Sequence, residues 1–160
     1  MAASNAKTRT KKASTAAKPA QRITPYLYYA DVDAALGWLA KAFGFKTMIR
    51  FAGPDGKTVH SAMTVANGEV FMLGCPGPKY KNPKKLGQVT QGLYIMVENV
   101  DKHYLRAKKA GAKIIDKPED QFYGDRRYAA TDPEGHNWFF AQHLRDVSVK
   151  EMTREMNKRS

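Results

Sequence analysis

A chain of 160 residues with a single cysteine, Cys75, must hold itself together without an internal disulfide, and its 42 % hydrophobic residues give it the means. No stretch approaches the ~18 consecutive apolar residues of a membrane span, and none follows the N-terminus as a secretory signal would, so a cytoplasmic domain is expected. The net charge of +12 suggests acidic partners only until it is divided along the chain.

Half of that excess lies in residues 1–22, where Lys7, Arg9, Lys11, Lys12, Lys18 and Arg22 stand with no acid among Ala, Thr and Ser. This is the composition of a disordered tail. Three uses are open to it: salt-sensitive contact with nucleic acid or an anionic surface, an organelle-transit segment, or a solubilising extension, the simplest of the three. Residues 23–143 carry only +4, as an ordinary folded domain does.

From residue 23 the chain repeats a plan. An alternating strand leads to Tyr29-Ala30-Asp31-Val32-Asp33, then Val32, Leu36, Leu39 and Phe43 form one apolar helical stripe that stops at Gly44. Sixty-eight residues later Val97-Glu98-Asn99-Val100-Asp101 opens a second copy, with Val100, Tyr104 and Ala107 as the stripe and Gly111 as the stop. Asp31 and Asn99 can accept from the first free N–H groups of each helix, and each glycine can take the left-handed conformation that ends one.

Three short strands are expected after each helix, near 47–51, 59–65 and 69–74, and near 113–116, 126–131 and 137–142. Gly53-Pro54-Asp55-Gly56, Ala66-Asn67-Gly68 and Asp132-Pro133-Glu134-Gly135 supply the turns between them. A connector over 76–91, rich in Pro, Gly and lysine (Lys79, Lys81, Lys84 and Lys85), joins modules 23–75 and 92–143; it reads as solvated, with a basic rim for acidic ligands as the minor alternative. The tail over 144–160 can form a last helix with Val149, Met152 and Met156 on one face. The fold class is therefore α+β, two tandem βαβββ modules forming a curved mixed eight-stranded sheet around a shared cavity.

Thr24-Pro25-Tyr26-Leu27 before Asp31, Gly53-Pro54-Asp55-Gly56-Lys57 leading to His60, and the run from Glu119 to Tyr128 followed by Asp132-Pro133-Glu134-Gly135-His136-Asn137-Trp138 carry a resemblance. Over about 23–143 the chain resembles the vicinal oxygen chelate superfamily, the glyoxalase, bleomycin-resistance and extradiol-dioxygenase group, and within it the small PhnB-like branch. The resemblance implies a concave sheet face as the active site. In metal-dependent members a His, Glu or Gln starts each module's first strand and a Glu stands on its last. Carried over, those positions are Thr24, Gly92, Phe71 or Met72, and Phe139. None supplies the nitrogen or carboxylate that a catalytic divalent metal needs, so no metal and no other cofactor is expected.

Strand parity groups Thr24, Tyr26 and Tyr28, then Gly92, Tyr94 and Met96, then Asn137, Phe139 and Ala141 on that face, and turns Ile23, Leu27, Leu93, Ile95 and Val97 toward the helices. The expected ligand-binding set is Tyr26, Tyr28, His60, Phe71, Tyr94, Met96, Tyr123, Arg126, Arg127 and Phe139: an aromatic face for a flat organic molecule, with one arginine turned inward to select a planar anion. The bland counterparts are rings packed as core and arginines paired with Asp120 or Asp125. His103 reads as exposed on its helix, His136 as a turn residue, and Cys75 as a small buried side chain.

Three functions follow. The first is a metal-independent protein that binds or sequesters an aromatic or antibiotic-like compound, as bleomycin-resistance relatives do, with homodimerisation expected. The second is a lyase, isomerase or dioxygenase using His60 or a metal-free His or Asp base. The third is a ligand sensor that contacts nucleic acid through residues 1–22.

Overall fold

The computed structural model describes residues 21–65 and 68–159, so nearly all of the basic tail, and part of the expected Ala66-Asn67-Gly68 turn, lie outside the described residues. In the first module β1 (Tyr26–Tyr28) leads to α1 (Val32–Phe43), then β2 (Lys46–Ala52), β3 (Thr58–Thr64) and β4 (Val70–Gly74). A one-turn helix, α2 (Pro83–Leu86), interrupts the connector. The second module repeats the order with β5 (Gly92–Met96), α3 (Val100–Lys109), β6 (Lys113–Asp120), β7 (Asp125–Thr131) and β8 (Asn137–His143), and α4 (Val149–Asn157) closes the chain.

The strands form two four-stranded mixed sheets, ordered β1-β4-β3-β2 and β5-β8-β7-β6, each with one parallel pair, β1 with β4 and β5 with β8. The eight strands of the expected architecture are thus divided between two sheets. The modules meet chiefly where α1 packs on α3.

Asp31 and Asn99 cap their helices as the repeat implies, each accepting from a backbone N–H at 2.9 Å, that of Ala34 and of Lys102. Gly44 ends α1 at φ +80°, where its N–H bonds Ala40, and Arg106 of α3 donates to the carbonyls of Ala40 and Lys41. One helix's free carbonyls are therefore capped by a cation from the other module, a favourable charge at a helix C-terminus.

A single core spans both modules. Phe43 and Phe45 follow α1 into it, Phe71 joins from β4, and Trp138, Phe140 and Tyr128 come from the second sheet. Phe43 lies 4.6 Å from Phe140, and Phe45 and Phe71 each lie 5.5 Å from Trp138 between ring centroids. Pairs at this spacing add about 0.5–1.5 kcal/mol each beyond the area they bury.

Two histidines sit differently from expectation. His103 is half-buried at the α1–α3 contact, with Nδ1 2.7 Å from the Tyr128 hydroxyl and Nε2 3.0 Å from the Phe43 carbonyl. Burial holds its pKa below the usual value. His136 is buried against Asp132 rather than merely following a turn. Ile23 lies ahead of β1, 83 % exposed, and does not face the helices.

Candidate concave site

The ladder registers define the face of each sheet that turns away from the helices. On the first sheet Tyr26 pairs with Met72, which pairs with Ala62, while His60 stands between Gly74 and Phe51. The Tyr26 ring passes directly over Gly74, a close approach that a side chain there would block. Its hydroxyl shares a hydrogen bond of 3.0 Å with His60 Nδ1, Tyr28 lies 5.2 Å from it, and Phe51 lies 5.8 Å from the imidazole. These rings are not packed away as core: Tyr26 is 43 % exposed, Tyr28 47 % and Phe51 56 %.

On the second sheet Gly92 pairs with Asn137, Tyr94 with Phe139 and Met96 with Ala141. The Phe139 ring covers Gly92, its Cε2 2.5 Å from where a Cβ would stand, and the Arg127 guanidinium lies 5.3 Å from the ring centroid on the same face. Arg127 also donates to Asp116 at 2.9 Å, while its buried Nε has no partner among the described residues. A polar row runs beside these rings. The Tyr94 hydroxyl donates to Asp125 at 2.8 Å, the other Asp125 oxygen lies 2.9 Å from His143 Nδ1, and His143 Nε2 lies 3.1 Å from Asp146. Burial, then the Asp125 carboxylate and the neighbouring Tyr123, push the Tyr94 phenol far up. The hydrogen bond to Asp125, with help from Asp146, raises the His143 pKa.

Of the residues expected from sequence, the structure gathers Tyr26, Tyr28 and His60 on one face and Tyr94, Met96, Arg127 and Phe139 on the other, with Tyr123 beside Tyr94. Two go elsewhere. Arg126 points to the helix side and holds Asp101 with two bonds of 3.0 Å and Asp120 with one of 2.7 Å. Phe71 is buried in the core because alternation places Met72, not Phe71, on the concave face. Asp116 and His143 join the site beyond the expected set, and Asp125, expected beside an arginine, holds Tyr94 and His143 instead. Parity continued from Phe139 through Ala141 reaches His143, and that signal was available.

A cleft of about 400 Å³ lies along the free edge of β5, between Tyr94 and Met96 on one side and Pro25, Val70 and the rim of Phe71 on the other. Its volume falls in the range of small-molecule sites.

The family model of the Glyoxalase/Bleomycin resistance protein/Dioxygenase superfamily matches residues 20–140. The chain belongs to this superfamily. An uncharacterized protein of Mycobacterium bovis is 35 % identical over 141 residues, an alignment covering 84 % of this chain and 91 % of that one. The crystal structure of TioX from Micromonospora sp. ML1 superposes with a TM-score of 0.64 at 31 % identity, covering 78 % of this chain and all of that one. A glyoxalase-related enzyme from Clostridium phytofermentans, at 18 % identity and a TM-score of 0.61, covers 80 % of this chain and 98 % of its own and shares the fold. No described helix is long and apolar enough to cross a membrane.

The superfamily's metal positions can be tested on this site. Gly92 offers no side chain, and the Phe139 ring fills the space above it. Thr24 offers a neutral hydroxyl and Met72 a thioether. This donor set does not fit a catalytic divalent metal.

Proposed function

We propose that this superfamily member, of the PhnB-like branch, is a metal-independent binding protein for a flat, aromatic or antibiotic-like organic molecule. The observation that carries the reading is the packing of Phe139 over Gly92, which puts a ring where relatives place metal ligands. Tyr94 and Met96 on the same sheet, and Tyr26, Tyr28 and Phe51 on the first, leave aromatic and thioether surface exposed. Such surface is costly to leave in water and stacks readily on a planar ligand. A second copy of the chain covering these faces is part of the proposal; analytical sedimentation finding only monomer at high concentration contradicts that part.

The test is calorimetric titration with planar aromatic antibiotics in the presence of a chelator. Binding that survives chelation and weakens about tenfold or more in Phe139→Ala supports the reading, since a lost stack plus its buried area exceeds the 1.4 kcal/mol that a tenfold change represents. Binding that requires a divalent ion contradicts it.

The row Tyr94–Asp125–His143 favours one second reading, a metal-free enzyme in which His143 exchanges a proton with a substrate lying on the same face. Turnover that disappears in His143→Gln while ligand affinity is kept supports it.

A further inference from the structure

A second cleft, of about 520 Å³, shares no lining residue with the first and lies where the connector meets the last hairpin of the second module. Trp38 of α1, Lys84 of α2, Lys113 of β6 and the turn residues Asp132, Pro133 and Gly135 line it. The connector is seated firmly there. Lys84 N–H bonds the Glu134 carbonyl at 2.9 Å, and Gly135, at φ +96°, lies so close to the Lys84 backbone that a Cβ would stand 2.7 Å from its nitrogen.

The charged groups in the lining are two lysines and one acid, with Gln88 and Thr131 beside them. Neither lysine's ammonium nor the Trp38 indole N–H has a partner among the described residues. The acid in the lining, Asp132, is buried and spent: its oxygens accept from the Tyr29 hydroxyl, the Trp138 indole, and the backbone N–H groups of Glu134 and His136, with the His136 ring at 3.1 Å. Lys85 follows Lys84 in the chain, and the carboxylate of Glu134, beside the lining, is taken up by the N–H groups of Ala30 and Asp31 and by Asn82. The Trp38 ring is held edge-on to Phe43, 5.1 Å between centroids, so its position is fixed by the core while it remains partly exposed.

We infer that this cleft is a second ligand site, distinct from the concave faces, for a ring-bearing phosphate monoester, the chemistry of a nucleotide. The indole offers a stacking surface and a donor. The two ammonium groups match a dianion, since a phosphate monoester carries about −1.5 to −2 at neutral pH.

The test is NMR titration of the full chain with 1-naphthyl phosphate, reading the two tryptophan indole N–H signals. The Trp38 signal moves to saturation, and that of Trp138, buried and bonded to Asp132, stays in place. Because exposed charge contacts are individually modest, Lys84→Ala with Lys113→Ala weakens the affinity about tenfold, as does replacing the probe by uncharged 1-naphthol. Phe139→Ala leaves the Trp38 response unchanged. Both lysines are exposed, so the double variant keeps the fold, which the unmoved Trp138 signal reports. A silent Trp38 signal, equal affinity for 1-naphthol, an unaffected double variant, or loss of the response in Phe139→Ala overturns the inference.

Discussion

Glu134, at the tip of the last hairpin, reaches back across the molecule to the start of α1, where its two carboxylate oxygens accept the backbone N–H groups of Ala30 and Asp31 at 2.8 and 2.9 Å. The same carboxylate accepts from Asn82 of the connector at 2.8 Å. One side chain thus ties the first module, the second module and the segment between them. Glu134→Ala is expected to cost about 1–3 kcal/mol, the range for removing a charged acceptor from its donors, and Glu134→Gln less, because one oxygen survives. Urea unfolding of the two variants beside the parent checks the order.

Beneath that tie, Asp132 is the most heavily used acid in the protein. Burial alone would raise its pKa, but the hydrogen bonds and charge of His136, with the Tyr29 hydroxyl, outweigh burial and lower it. A carboxylate with a depressed folded pKa gives stability that is present above its unfolded value and lost as pH falls through the folded one. Acid unfolding should therefore begin only well into the acid range, and Asp132→Asn should shift it to higher pH while costing about 3 kcal/mol at neutrality. An Asp132→Asn variant with the parent's acid midpoint contradicts this assignment.

His143 has the opposite sign. Its folded pKa is raised by Asp125 and Asp146, so its stabilising charge is fully present below the unfolded value of about 6.5 and fades as pH rises through the folded value. The C-terminal segment, held at Gly124 by the N–H groups of Leu144 and Arg145 and touching His143 through Asp146, is expected to loosen from the Asp146 end over that window. Hydrogen exchange of the amides of α4 across neutral pH reads it, and His143→Gln removes the pH dependence.

Phe43 is one of the residues through which the modules share a core, touching Trp38 and Phe45 of its own module and His103, Trp138 and Phe140 of the other. Phe43→Ala is expected to cost about 3–5 kcal/mol, and one cooperative unfolding transition should remain, since neither half keeps a separate core. Calorimetry that resolves two transitions in the parent protein would contradict a common core.

Much of this was legible because the chain states it twice. Asp31 and Asn99 each precede an apolar stripe and a left-handed glycine, and that repetition fixed both helices; alternation then sorted Tyr26, Tyr94 and Phe139 from Leu27, Leu93 and Trp138. What stayed hidden depends on contacts between elements. His103 looks exposed on its own helix, and only the crossing of α1 over α3 covers it. Arg126 and Arg127 are adjacent and chemically alike; parity sends one to each face but cannot say which faces the helices until the register with β8 is known. The helix in the connector carried an Asn82-Pro83 start signal, since Asn82 caps it by accepting from Lys85 at 3.0 Å, yet its proline, glycine and lysine content read as loop. The division into two sheets has no local signature in the strands themselves.

Native mass spectrometry of the tag-free protein, incubated with equimolar zinc, nickel, manganese or iron(II) and then with a planar aromatic antibiotic, separates a metal-free pocket from a metal-dependent one. An organic adduct without a stoichiometric metal increment is expected, because Phe139 covers Gly92, one of the superfamily's ligand positions. One divalent ion per chain, retained on dilution and required for the organic adduct, would contradict it.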